Sequence, residues 1–146
     1  MSTETLQPAE WVRPKGYANG MAARGRMIFI SGQVGWNEHG QFLSDTLPEQ
    51  VKQALRNIVR VLKEGQAEPR HVVRLTWYVL SREAYLREAR EIGAAYREIV
   101  GKHYPAMSVV EVRGLVEKRA LVEIEATAVV PDEEADGPAL RRAQTR

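Results

Sequence analysis

The sequence predicts a single α+β domain, a mixed sheet of about six strands with two helices packed on one of its faces. Three observations carry this. Apolar residues recur at helical spacing in two segments, and short runs of β-branched and aromatic residues stand before, between and after them, in the order ββαβαββ. The chain has 146 residues, enough for one core and too few for two. Hydrophobic residues make up 44% and charged residues 27%, which excludes a disordered chain or a fibre.

The elements follow in order. Residues 1–15 read as an N-terminal arm, 16–130 as the folded domain, and 131–146 (PDEEADGPALRRAQTR) as a flexible tail with almost nothing to bury. Residues 16–24 form a weak strand candidate, Gly25-Arg26 a tight turn and 27–31 a strong strand, together a hairpin. A loop with Gly35, Asn37 and Gly40 comes next. Thr46-Leu47-Pro48-Glu49 has the form of a capping box with an early proline, and the stripe Val51, Ala54, Leu55, Ile58, Val61 and Leu62 marks an amphipathic helix ending near Gly65. After Pro69, residues 72–80 read as a strand. Ser81 is placed to cap a second helix, with Ala89, Ile92, Tyr96 and Ile99 on its apolar face and Gly101 at its end. Strands over 107–113 and 119–130, turned around Gly114, complete the domain.

Two helices can cover only one face of such a sheet. In the last strand Val122, Ile124, Ala126 and Ala128 share one face, and Leu121, Glu123, Glu125, Thr127 and Val129 the other. Residues 27–30 are apolar on both sides, and residues 75–79 carry bulky groups on both. Leaving such a face wet forfeits several kcal/mol at about 25 cal/mol per Å² of apolar surface. Another copy of the chain is the expected cover, so the pattern predicts a homo-oligomer with the glutamate-bearing face at or near the interface.

Several chemistries are excluded or unsupported. With no cysteine there is no disulfide, thiolate metal site or cysteine nucleophile. His39, His71 and His103 have no neighbouring carboxylate at ligand spacing, so no metal is expected, and His103 reads as a loop histidine. No G-x-S-x-G, G-x-x-x-x-G-K or G-x-G-x-x-G occurs, so neither a nucleophile elbow nor a nucleotide cofactor is indicated, and no cofactor is expected. A net charge of +2 gives little grip on a phosphate backbone, and no nucleic-acid partner is expected. The longest apolar runs are four or five residues, so no membrane partner is expected either. MSTETLQPAE carries no secretory pattern, and a cytoplasmic location is the expectation.

Glu123 and Glu125 are the unusual pair. Flanked by Leu121 and Val129, they occupy surroundings that could raise a carboxyl pKa and make a proton shuttle. The competing reading pairs them with Arg113, Lys118 or Arg119 across a neighbouring strand or subunit.

Six segments in order resemble the signature of the reactive-intermediate imine/enamine deaminase (RidA/YjgF) family. They are Gly16-Tyr17, Ile30-Ser31-Gly32-Gln33-Val34, Gln53-Ala54-Leu55-Arg56-Asn57, Pro105-Ala106-Met107-Ser108, Val110-Glu111-Val112 and Val122-Glu123-Ile124-Glu125-Ala126. The resemblance implies a chorismate-mutase-like fold, a homotrimer with three intersubunit pockets for a small molecule, and hydrolysis of reactive imines to a ketoacid and ammonia. Residue by residue it implies Tyr17 and Glu123 as catalytic groups, with Ser31, Gly32 and Ser108 around the substrate. Met107 stands where the family carries its carboxylate-binding arginine, and Gly93 where many members carry an asparagine. A thioether replaces none of a guanidinium's charge-assisted hydrogen bonds, worth about 1.5 to 3 kcal/mol each. Met107 therefore reads as a softer pocket lining or as plain packing, Trp36 as a pocket-mouth or exposed-loop aromatic, and Trp77 as core or interface. A neighbouring chain could bring a cation near Met107 from Arg13, Arg24, Arg74, Arg113 or Arg119. Two functions compete: an imine or enamine deaminase of altered specificity, and a non-catalytic small-molecule-binding trimer.

Overall fold

In the computed structural model, which describes residues 3–135, six strands divide between two sheets. β3 (Arg26–Val34), β4 (Val72–Val79), β5 (Ala106–Glu111) and β6 (Val122–Val130) form the main sheet, in the order β3-β6-β4-β5. β6 runs antiparallel to both neighbours, while β4 and β5 are parallel. β1 (Thr3–Leu6) and β2 (Gly20–Ala23) pair with each other as a separate antiparallel sheet.

Two expected pairings therefore differ. The segment read as an arm contains β1, and it takes the partner that β3 was expected to have. Gly25 explains part of this: its φ is +150°, and a Cβ there would lie 2.0 Å from the Val130 carbonyl oxygen. The chain turns tightly against the end of β6, and β3 pairs with β6 instead of with β2. At the other end, β5 and β6 are not a hairpin around Gly114, because β4 lies between them. Of the expected tail, Asp132–Ala135 is helical (α4), and 136–146 lie outside the described residues.

Helix α1 (Leu47–Glu64) buries Leu47, Val51, Ala54, Leu55, Ile58 and Leu62, nearly the stripe expected for it. The capping box at Thr46 does not form. Thr46 makes no side-chain cap, and its hydroxyl instead meets that of Ser44 at 3.1 Å. Gln50 ties the helix start to the sheet: its amide donates to the Ser44 and Arg119 carbonyls and its oxygen accepts from Leu121 N–H, all within 2.9 Å. Three partners satisfy an otherwise costly buried amide. Ser81 caps the second helical segment as expected, accepting from Ala84 N–H at 3.0 Å. That segment splits, however, into α2 (Arg82–Arg87) and α3 (Ala89–Ile99), because the backbone leaves helical geometry at Glu88.

The core lies between these helices and one face of the main sheet. Leu75, Trp77 and Val79 of β4 and Val122, Ile124, Ala126 and Ala128 of β6 are buried in it with Leu55, Leu62, Ile92 and Tyr96. The alternation leaves Arg74, Thr76, Tyr78, Glu123, Glu125 and Thr127 on the face opposite the helices. On the edge strand of that face Phe29 is 73% exposed and Met27 56%.

Candidate functional site

Two places hold the residues expected to act, one on each side of the main sheet. The first is a cavity of about 530 Å³ between α3, the ends of β4 and β5, and the segment 15–17. Its volume lies in the range of small-molecule pockets. The Ala18 N–H donates to the Pro105 carbonyl at 3.0 Å and Ala18 bridges Ala106, which sets Tyr17 beside the start of β5. Met107 pairs with Leu75 in the parallel register and so looks to the helix side of the sheet. Tyr17, Gly93 and Met107 all line the cavity.

Its walls are largely aromatic. Trp77 meets Tyr85 edge-on with centroids 6.4 Å apart and Tyr96 at 6.3 Å, and Tyr96 stacks on Tyr104 at 5.5 Å. Burial pushes the phenols of Tyr85 and Tyr96 above their ordinary pKa, Tyr104 adding to the effect on Tyr96. The Tyr96 hydroxyl donates to the His103 carbonyl, and His103 Nε2 lies 2.7 Å from the Val72 carbonyl oxygen. His103 is thus half-buried and hydrogen-bonded, not simply a solvated loop residue. Trp77 is only 2% exposed, and its indole N–H has no acceptor among the described residues. It belongs to the core, one of the two positions its sequence allowed.

The second place is the β-bulge in β3. Ile30 pairs with Ala126 and Gln33 with Ile124, so Ser31 and Gly32 together oppose the single residue Glu125. Such a bulge takes backbone groups out of the ladder and re-aims the strand, a device common beside active sites. Gly32 is required here. A Cβ on it would lie 2.6 Å from both Cδ and Oε2 of Glu123, so the carboxyl group of Glu123 occupies the space a side chain would need. Glu123 makes no hydrogen bond or ion pair among the described residues.

Glu125 behaves differently. It accepts from the Tyr78 hydroxyl at 2.7 Å, and that hydrogen bond, more than burial or charge, holds the Tyr78 phenol above its usual pKa. Within the chain neither glutamate pairs with Arg113, Lys118 or Arg119. The Arg119 guanidinium lies 2.8 Å from Asp45 instead and also bonds the Phe42 carbonyl.

The expected residues therefore divide. Tyr17, Gly93 and Met107 meet in the cavity, while Ser31, Gly32 and Glu123 meet at the bulge across the sheet. Ser108 pairs with Thr76 and is exposed on the glutamate side, facing away from its neighbour Met107. Trp36 joins neither group: it packs on Phe42 at 5.8 Å and lines a shallow surface depression with Asn37 and Arg60. Two cations were missed. Arg97 and Lys15 line the cavity, and neither is among the arginines named for that task. The available signal was Gly93, a glycine inside a helix one turn before an arginine.

The arrangement can be set against known proteins. The family pattern described as Endoribonuclease L-PSP matches residues 11–130. The chain belongs to that family, the Rid/YjgF family. Human 2-iminobutanoate/2-iminopropanoate deaminase, a relative, is 31% identical over 105 residues, spanning 71% of this chain and 73% of the human protein. A Lactococcus lactis relative named as a candidate regulator, AldR, is 32% identical over 115 residues, spanning 78% of this chain and 86% of its own. Among solved structures, the Rid-family protein of unknown function YyfB from Yersinia pestis superposes with a TM-score of 0.76 at 33% identity, over 89% of this chain and 100% of its own. The α+β fold of the Rid family is thus the fold of this chain. No helix among the described residues is long and apolar enough to cross a membrane.

Proposed function

We propose that the protein is a hydrolytic deaminase of a reactive imine or enamine whose substrate contacts differ from those of its relatives, acting as a homotrimer. The carrying observation is the carboxyl group of Glu123 lying against Gly32 at the β3 bulge. An unpaired carboxylate beside backbone groups freed from a strand ladder can accept a proton from water and return it to a departing nitrogen. Water adds to the C=N carbon, its proton passing through Glu123 to the nitrogen to give a neutral carbinolamine. The carbinolamine then collapses: Glu123 takes the hydroxyl proton and delivers it to the nitrogen as the C–N bond breaks, leaving a carbonyl product and ammonia. Tyr17 contributes from the cavity side, where a ligand would lie against Met107.

Within one chain the main sheet separates the cavity from Glu123, so a site using both needs two copies. The face opposite the helices supplies the surface for this, with Phe29 and Met27 exposed along its edge strand. A groove beside them runs over Ser31, Arg74, Thr76 and Glu125. Packing copies across that face covers the apolar edge and lets one chain's glutamate approach its neighbour's cavity. The name of the human relative and the carried-over residues support the chemistry; a location in the cytoplasm is proposed with it.

A second reading, a binding trimer without catalysis, is favoured by Met107 and by the name of the Lactococcus relative. Incubation with 2-aminoacrylate and with imines generated by an amino acid oxidase, following ammonia release, decides between them. The deaminase reading expects acceleration that Glu123→Gln abolishes. It falls if nothing is accelerated, or if Glu123→Gln matches wild type. Activity appearing only in Met107→Arg supports the binding trimer. The endoribonuclease in the family's description is disfavoured by a charge of +2, and a steep salt dependence of RNA binding would restore it.

A further inference from the structure

The cavity has a charge pattern of its own. Among the described residues no lining residue is acidic and two are cationic, Lys15 and Arg97. Arg97 forms no ion pair or hydrogen bond among the described residues, whereas its neighbour Glu98 is held by Lys52 at 3.0 Å. Its direction is set by the helix. Arg97 lies one turn after Gly93 on α3, and its Nη1 sits 3.2 Å from where a Cβ at residue 93 would be. Side chains on a helix lean toward its N-terminus, over the preceding turn. The bare glycine therefore gives the guanidinium room to lie back against the helix, on the cavity wall.

We propose that Arg97, folded over Gly93, is the carboxylate anchor of this cavity, and that its substrates are imines or enamines of carboxylic acids with bulky apolar or aromatic side chains. Met107 cannot hold a carboxylate, but Arg97 offers a planar, permanently charged fork at the rim of the same cavity. The cavity body suits an apolar ligand group, since Trp77, Tyr85, Tyr96 and Tyr104 wall it and Met107 supplies an adaptable surface. Trp77 contributes a buried aromatic wall, almost wholly removed from solvent. The substrate class rests on the deaminase reading; the anchor does not.

The test is calorimetric titration of the intact protein with phenylacetate, phenylacetamide and acetate. Wild type is expected to bind phenylacetate about tenfold or more tightly than either of the others, one good charged contact being worth at least that factor. Arg97→Gln, at an exposed helix position that should fold normally, is expected to bring phenylacetate down to the level of the amide, and Arg97→Lys to keep part of the preference. The anchor is overturned if Arg97→Gln binds phenylacetate as wild type does, if Lys15→Gln and not Arg97→Gln removes the preference, or if acetate binds as tightly as phenylacetate. With imines from phenylalanine and alanine, Arg97→Gln is expected to raise KM for the former far more than to lower kcat. The two proposals fail separately. Unchanged KM with hydrolysis intact removes the anchor and keeps the deaminase; the expected binding pattern beside a Glu123→Gln variant as active as wild type does the reverse.

Discussion

The two faces of the main sheet solve different problems. On the helix side Leu55, Leu62, Trp77 and Ile124 are almost fully buried, and even the polar Gln50 finds three partners. On the opposite side a glutamate with no side-chain partner among the described residues, a bulged strand and an exposed phenylalanine stand together. Packing is nearly complete where it holds the fold and left open where a ligand and another copy of the chain are proposed to arrive. The cavity under α3 is the exception on the helix side, and it is walled by the core Trp77, whose N–H has no acceptor among the described residues. A chain tends to leave polar groups unsatisfied where something else is meant to satisfy them.

The largest expected effect lies on the glutamate face. Glu123→Gln should lower imine hydrolysis by roughly 10²- to 10⁴-fold, the usual worth of a positioned acid/base group. Stability should change by less than about 0.5 kcal/mol, because the side chain makes no hydrogen bond or ion pair among the described residues. Equal losses of activity and thermal stability would make Glu123 a packing residue and erase the contrast between the faces. Phe29→Glu comes next. Burying a phenylalanine is worth about 1.5 to 3 kcal/mol, and each copy would lose that and gain a charge. Light scattering should show the assembly falling to single chains, with hydrolysis declining alongside. An unchanged mass with full activity would mean that this face is not where copies meet.

Gly32→Ala probes the glutamate without touching it. The added Cβ would meet Cγ, Cδ and Oε2 of Glu123 at 2.6 to 2.7 Å, so the whole side chain must rotate aside, at small cost in stability because no backbone atom stands in the way. A carboxylate displaced by about 1 Å can lose up to 10²-fold in rate, so a fall of roughly ten- to a hundredfold with an almost unchanged melting temperature is expected. A drop in melting temperature without a rate change would assign Gly32 to the fold alone.

What the sequence made legible follows from what periodicity records. The alternation in 122–128 identified both faces of β6, and the helical stripe of α1 was nearly complete, because each depends on neighbours along the chain. Pairing was harder. β3 meets β6 about a hundred residues away, and the choice turns on Gly25, whose steric demand exists only once Val130 stands beside it. The capping box at Thr46 failed for a local reason, the competing hydroxyl of Ser44. Within the candidate site, Tyr17, Gly32, Met107 and Glu123 were named, but their separation by the sheet was not, since motif order says nothing about which side of a strand a residue faces. Arg97 was passed over because an arginine on an amphipathic helix ordinarily belongs to the solvated face. Only its distance to Gly93 makes it part of the cavity.

The smallest expected effect sharpens the comparison most cleanly, since both faces raise tyrosine pKa values for different reasons. Tyr85 and Tyr96, on the helix side, are raised chiefly by burial, and Tyr78, on the open side, chiefly by the hydrogen bond to Glu125. In each case the folded chain holds its proton to higher pH than the unfolded chain does. Their contribution to stability is therefore complete below the ordinary phenol value of 10.0 and is lost as pH climbs through the folded values. Following phenolate absorbance in the native protein, Tyr78, Tyr85 and Tyr96 should ionise late. Glu125→Gln should bring Tyr78 back toward its usual range and leave Tyr85 and Tyr96 where they are, because no carboxylate among the described residues lines the cavity they share. If all three moved together the faces would be electrostatically coupled through the sheet; if none moved, the Tyr78–Glu125 hydrogen bond would not persist in solution.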